Sequence, residues 1–208
     1  RGLIARPAWS LAALLCLAIG TGANTASLSV INEVLLRPLP FADPDRIATV
    51  VLREPSPPRL RPFSLDEYLA VAPSATLFSE LSARTFLPVS VAADDPPRMV
   101  QSELVSDNYF AMLRVGLLLG RTFDAVSAVP EAVVSEQLWR QRFNRDPSIV
   151  GRRIRINGRE SVITGVAPAG FIGATQLIRA DMWLSTSWFA ELNPAPSAAT
   201  VPSFGVLV

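Results

Sequence analysis

From Pro7 to Asn32 the chain carries no charged side chain, and 19 of the 29 residues from Ala8 to Leu36 are hydrophobic. Such a stretch has few ways to satisfy its backbone away from water, and a helix is the simplest. Helical from Ala8 to Asn32, it would be about 37 Å long at about 1.5 Å per residue, enough to cross a hydrocarbon core of about 30 Å. The sequence therefore predicts a transmembrane helix. The segment is uneven: Leu11 to Ile19 is strongly apolar, whereas Gly20, Thr21, Gly22, Asn24, Thr25, Ser27 and Ser29 follow. Small residues let a second helix approach closely, so Gly20, Gly22, Ala23, Asn24, Ala26 and Ser27 are candidate helix-packing residues. A cleaved secretory signal is the alternative, with Arg1 and Arg6 before the apolar run and Thr21-Gly22-Ala23 as the cleavage site. Arginines flank both ends (Arg1 and Arg6, then Arg37 and Arg46), so charge counting sets no orientation.

Residue inventory removes much chemistry. All 19 basic residues are Arg; there is no His and no Lys. Imidazole bases, His-containing zinc sites, Schiff-base amines and the P-loop lysine are absent from this chain. No catalytic residue, cofactor or metal ligand is assigned. Nineteen positive against 18 negative charges give no electrostatic footprint for nucleic acid. Cys16 is the single cysteine and can form no internal disulfide. The start at Arg1 suggests a piece of a longer polypeptide.

Beyond the apolar segment, proline and Asp43-Pro44-Asp45 end the helix. Ile47 to Leu52 reads as a short buried strand, and Pro55, Pro57, Pro58 and Pro62 as a loop. Ser64 and Glu67 have capping-box spacing for a helix through Val71, stopped at Pro73. Arg84 to Val91 and Met99 to Val105 read as strands around an Asp94-Asp95-Pro96-Pro97 turn. Ser106 or Asp107 is expected to cap a helix over Asn108 to Leu113, closed near Gly116. Glu131 to Val134 reads as a strand, and Ser135 as the cap of a helix over Glu136 to Phe143. Asn157-Gly158 between alternating runs, from Arg153 to Val166, is a hairpin signal, because both positions of a type I′ turn need positive φ. Met182 to Leu184 and Phe204 to Val208 look strand-like, with a loop over Asn193 to Pro202 between them.

Few of these residues invite chemistry. Asp43-Asp45 and Asp94-Asp95 are the close carboxylate pairs, and beside proline they serve best as backbone acceptors in turns. Gly20-Thr21-Gly22 lacks the preceding strand and third glycine of a dinucleotide fingerprint. Leu117-Leu118-Leu119 should bury against a core. The arginines from Arg140 to Arg159 would suit a basic patch for lipid head groups, nucleic acid or an acidic partner, but their alternation with core positions favours a solvated face, and Trp139 and Trp183 suit cores or interfaces. A carboxylate hydrolase would need two distant acids brought into one cleft.

Several motifs then carry a family resemblance. Ala18-Ile19-Gly20-Thr21-Gly22-Ala23-Asn24-Thr25-Ala26, Val34-Leu35-Leu36-Arg37-Pro38-Leu39-Pro40-Phe41 and Asp43-Pro44-Asp45-Arg46 resemble the first transmembrane helix and exit segment of MacB/FtsX-like ABC transporter permeases. Ser106-Asp107-Asn108-Tyr109-Phe110, Gly120-Arg121, Trp139, Arg142-Phe143, Asp146-Pro147, Ile149-Val150-Gly151-Arg152, Asn157-Gly158 and Gly165-Val166-Ala167-Pro168 are similar to the family's extracytoplasmic core domain. The resemblance implies an α+β fragment: a transmembrane helix and flank over residues 1–36, then a MacB-like periplasmic core domain of small mixed lobes over 37–208, truncated at its carboxyl end. It implies a non-enzymatic permease subunit of the inner membrane, relaying ATP-driven motion for export or efflux. The lipid bilayer, a cytoplasmic ABC ATPase, a second permease copy and a periplasmic adaptor are the implied partners. A membrane-anchored binding module without transport coupling is the alternative.

Overall fold

The structure is a computed structural model that describes residues 7–31, 47–74, 76, 78–93, 95–124, 127–174, 178–192 and 205–207. The exit segment after the first helix, Asp43 to Asp45, Asp94 and the Asn193–Pro202 loop lie outside the described residues. The chain divides into two compact units, Arg1–Pro38 and Leu39–Val208.

The first unit contains α1, Pro7–Ile31, with no acidic residue in its first turn and no basic residue in its last. Leu11, Leu14, Leu15, Leu17, Ile19 and Leu28 are all exposed on it. Thr21 Oγ1 donates to the Leu17 carbonyl and Ser27 Oγ to the Ala23 carbonyl, so these hydroxyls are satisfied within the helix. The helix is where the sequence placed it. Its ability to cross a bilayer is another matter: among the described residues no helix is long and apolar enough to cross a membrane. The small and polar residues from Gly20 to Ser29 dilute the apolar half.

In the second unit, α and β elements mix, as expected. A nine-stranded sheet comprises β1 (Thr49–Val50), β4 (Ser82–Ala92), β5 (Arg98–Val105), β6 (Leu119–Gly120), β7 (Glu131–Val134), β8 (Arg153–Ile156), β9 (Arg159–Val166), β10 (Met182–Ser185) and β11 (Gly205–Leu207). Pairing runs β1-β11-β4-β5-β10-β7-β9-β6, and β8 bridges β9 to β4 through Val91↔Ile156. Six strands, β4-β5-β10-β7-β9-β8, thus close on themselves. Inside lie Val89, Val91, Val100, Leu104, Ile154, Ile156, Ile163, Met182 and Leu184, all buried. On the other face Val105, Val133 and Trp183 pack with Tyr109, Phe110, Leu113 and Phe171.

The Asn157-Gly158 turn is present with both residues at positive φ, +50° and +81°, and joins β8 to β9. Ser64 caps α2 (Leu65–Val71): its hydroxyl accepts from the Glu67 amide while Glu67 Oε2 accepts from the Ser64 amide. Ser135 caps α4 (Glu136–Phe143) through its hydroxyl, which accepts from the Leu138 amide. Trp183 is fully buried, and Trp139 packs at the core's edge.

Five expectations need correction. Pro55 to Arg61 is no loop: β2 (Leu52–Pro55) and β3 (Pro58–Arg61) form a two-stranded hairpin, where the prolines are tolerated because both strands are free edges. The strand over Ile47 to Leu52 is broken at Val51, which is exposed rather than buried. Neither Ser106 nor Asp107 caps α3 (Tyr109–Met112), whose N-cap is Asn108 without a side-chain bond. Arg114, at φ +52°, makes the left-handed turn expected near Gly116. Leu118 points outward, while Leu117 and Leu119 are partly buried.

Candidate functional site

The candidate helix-packing residues Gly20, Gly22, Ala23, Asn24, Ala26 and Ser27 all lie exposed on α1. A Cβ built on Gly20 or Gly22 meets nothing within 4 Å. Both positions are therefore open to close approach.

Two polar assemblies in the second unit escaped the sequence. The first is a buried carboxylate. Glu103 sits on β5 with a fully buried side chain, on the Trp183 face of the sheet. Its Oε1 accepts from Arg84 Nη1 of β4 at 3.2 Å. Its Oε2 accepts from the Tyr109 hydroxyl at 3.1 Å and from Trp183 Nε1 of β10 at 3.0 Å. The Tyr109 hydroxyl in turn accepts from the Ala174 amide at 2.8 Å. Gly173, at φ +104°, lies so close that a Cβ would come within 2.7 Å of Glu103 Oε2. One carboxylate thus ties together two neighbouring strands of β5, a short helix and the loop before β10.

Burial pushes the Glu103 carboxyl above its usual range, and Arg84, Trp183 and Tyr109 offset this only in part. Burial, followed by the neighbouring Glu103 charge, likewise raises the Tyr109 phenol well above its ordinary value. Arg84 Nε is buried without a partner, so the guanidinium is incompletely satisfied. A closed centre of this kind, with no open reacting position, holds structure together. The signal available in the sequence was a lone Glu inside a β-prone run, Val100 to Val105, and no residue spacing reveals its partners.

The second assembly is an open cleft. Because β5 and β10 are parallel, with Val105 opposite Ser185, the turns that follow them emerge side by side. They bring Ser106, Asp107 and Asn108 next to Thr186 and Ser187, and α2 adds Leu65, Tyr68 and Leu69. The volume is about 350 Å³. Hydrogen bonds set its walls: Ser185 Oγ donates to Asp107 Oδ1 at 2.6 Å, Ser106 Oγ donates to Asn108 Oδ1 at 2.7 Å, and Asn108 Nδ2 donates to the Leu81 carbonyl at 2.9 Å. Parallel strands placing their carboxyl-terminal turns around a crevice is a recurrent ligand-site geometry.

The arginine run proves divided. Arg142 is almost wholly buried and donates to Asp95 Oδ1 at 2.6 Å and to the Val91 carbonyl at 2.9 Å. Asp95 therefore serves a side chain of α4, not a cation, and Arg142 holds its carboxyl below the usual range. Arg145 pairs with Glu136, Arg153 with Glu160 at 2.5 Å, and Arg152 lies over the Phe143 ring at 5.1 Å. Arg140, Arg155 and Arg159 are exposed, as a solvated face requires. Among the described residues no group of three His, Cys, Asp or Glu side chains could hold a metal ion.

Comparison with known proteins bears on the whole of this arrangement. The family model of the MacB-like periplasmic core domain matches residues 10–203. Curated protein sequences give no match. The chain is similar in structure to the extracellular domain of the noncanonic ABC-type transporter YknZ from Gram-positive bacteria, at 11% identity and TM-score 0.56, over 78% of this chain and 82% of that one. It is similar to a domain assigned to a permease protein of Porphyromonas gingivalis, at 22% identity and TM-score 0.56, over 81% and 74% of the two chains. The periplasmic region of MacB from Actinobacillus actinomycetemcomitans matches at 12% identity and TM-score 0.53, over 85% and 75%. At such identities the likeness is one of fold.

Proposed function

This chain belongs to the MacB-like periplasmic core domain family, and from that premise we propose that it is the extracytoplasmic part of an ABC transporter permease, together with the helix that leads into it. The family match over residues 10–203 carries the proposal. The domain would stand outside the inner membrane and relay ATP-driven motion for export or efflux, with no chemistry of its own. The fold suits such a part: a closed ring of strands, cross-tied by Glu103 and Arg142, resists deformation and moves as a body.

In this proposal α1 sits in the bilayer among other helices. The helix is not apolar enough along its length to cross alone, so its polar second half would face protein while Leu11 to Ile19 meet lipid. A second permease copy is the occupant proposed for the Gly20 to Ser27 face. ATP would be bound by a separate cytoplasmic ATPase, a periplasmic adaptor is a further partner, and nucleic acid is not one. The coding sequence beyond Val208 tests this directly. Three further hydrophobic segments and a neighbouring ATPase that co-purifies with the longer chain are expected; a stop codon soon after Val208 would favour an anchored binding module and overturn the proposal.

A further inference from the structure

The cleft at the ends of β5 and β10 has a definite chemical bias. Its hydrogen-bonded walls consume Asp107 Oδ1, Asn108 and the Ser185 and Ser187 hydroxyls, which bond each other at 2.7 Å. Asp107 Oδ2 and the Thr186 hydroxyl have no partner among the described residues. Both can accept hydrogen bonds, and one bears a charge. The chain has 19 arginines, yet none lines this cleft. The apolar side is Leu65 and Leu69 on α2, the latter exposed, and the volume of about 350 Å³ lies at the small end of ligand sites.

These features exclude most occupants. An anion would meet a carboxylate with no cation to offset it. A hard divalent cation needs more oxygen ligands of charge than one carboxylate supplies. A neutral apolar molecule would gain nothing from the Asp107 carboxylate, which stands exposed at the rim of the cleft and offers its charge only to a cation. We propose that the cleft binds a small organic cation, an ammonium group on a compact apolar body. The ammonium donates to Asp107 Oδ2 and to the Thr186 hydroxyl, and the apolar body lies on Leu65 and Leu69. Its three donors match the two acceptors the protein leaves open, with the third free for water. The chemistry belongs to the cleft alone, so loss of the relay in a transporter leaves it intact.

The test is a titration of the ¹⁵N-labelled 208-residue chain, in nonionic detergent, with phenethylammonium and with its neutral counterpart 2-phenylethanol. The expected result is saturable amide shifts confined to residues around Ser106–Asn108 and Thr186–Ser187 for the cation, with the alcohol bound about tenfold more weakly, the scale of one charge-assisted hydrogen bond. Asp107→Asn keeps an oxygen for the Ser185 hydroxyl and removes the charge, so it should weaken the cation about tenfold and leave the alcohol unchanged. Thr186→Val, of equal shape, should weaken the cation by a smaller factor, and the spectrum of each variant reports directly whether the fold is intact. Equal binding of cation and alcohol, cation binding unchanged in folded Asp107→Asn, or no saturable shift in the cleft would overturn the proposal.

Discussion

At the scale of single residues, Glu103 matters most to the second unit. Removing its carboxyl by Glu103→Ala leaves Arg84, Tyr109 and Trp183 facing one another without an acceptor, and should cost about 3–5 kcal/mol, as for breaking a buried ion pair. Chemical denaturation measures it. The sign of the pH dependence follows from the raised native pKa. The folded protein holds the Glu103 proton more tightly than the unfolded chain, whose value is 4.5, so this contribution is present below 4.5 and is lost as pH rises through the native value. Glu67 acts in the opposite direction: hydrogen bonds from Arg61 and the Ser64 amide hold it at about 2, so its contribution is present above 4.5 and is lost as pH falls toward about 2. Thermal melts against pH should therefore lose their high-pH decline in Glu103→Gln and their acid decline in Glu67→Gln. Gly173→Ala should destabilise by about 1–3 kcal/mol, since a side chain there is strained at φ +104° and collides with Glu103.

At the scale of elements, what the sequence revealed was local. The Asn157-Gly158 turn and the Ser64/Glu67 capping box each declare themselves within a few residues, because one backbone conformation or one amide is being satisfied. Ser64→Ala should remove the box and cost about 1 kcal/mol, measured as a lower Tm than wild type. The β2–β3 hairpin was misread because proline counts against strands in general, while an isolated pair has free edges where the missing donors are not needed. Glu103 and the cleft were illegible for a different reason. Their partners come from β4, β10, α2 and the loop before β10, and only the parallel pairing of β5 with β10 brings them together. The same non-local pairing let Ser106 and Asp107 look like helix caps, although their side chains bond Asn108 and Ser185 instead.

At the scale of the whole molecule, membership of the MacB-like periplasmic core domain family leads to the proposed mechanical role. What the chain builds is a closed, cross-tied sheet joined in sequence to a helix whose leucines are exposed. Gly22 bears on the proposed assembly. Gly22→Leu fills an open helix position and should impair pairing of permease copies in the membrane, seen as reduced cross-linking and weaker ATPase coupling. Relay of motion is the central claim, and an interspin distance tests it most directly. With Cys16→Ser as background and a spin label at the exposed Met99→Cys, the distance between two copies is measured by electron double resonance in the full transporter, with and without bound nucleotide. The account predicts that nucleotide shifts the distance distribution between the outer domains; a distribution that stays the same through the ATPase cycle would contradict it.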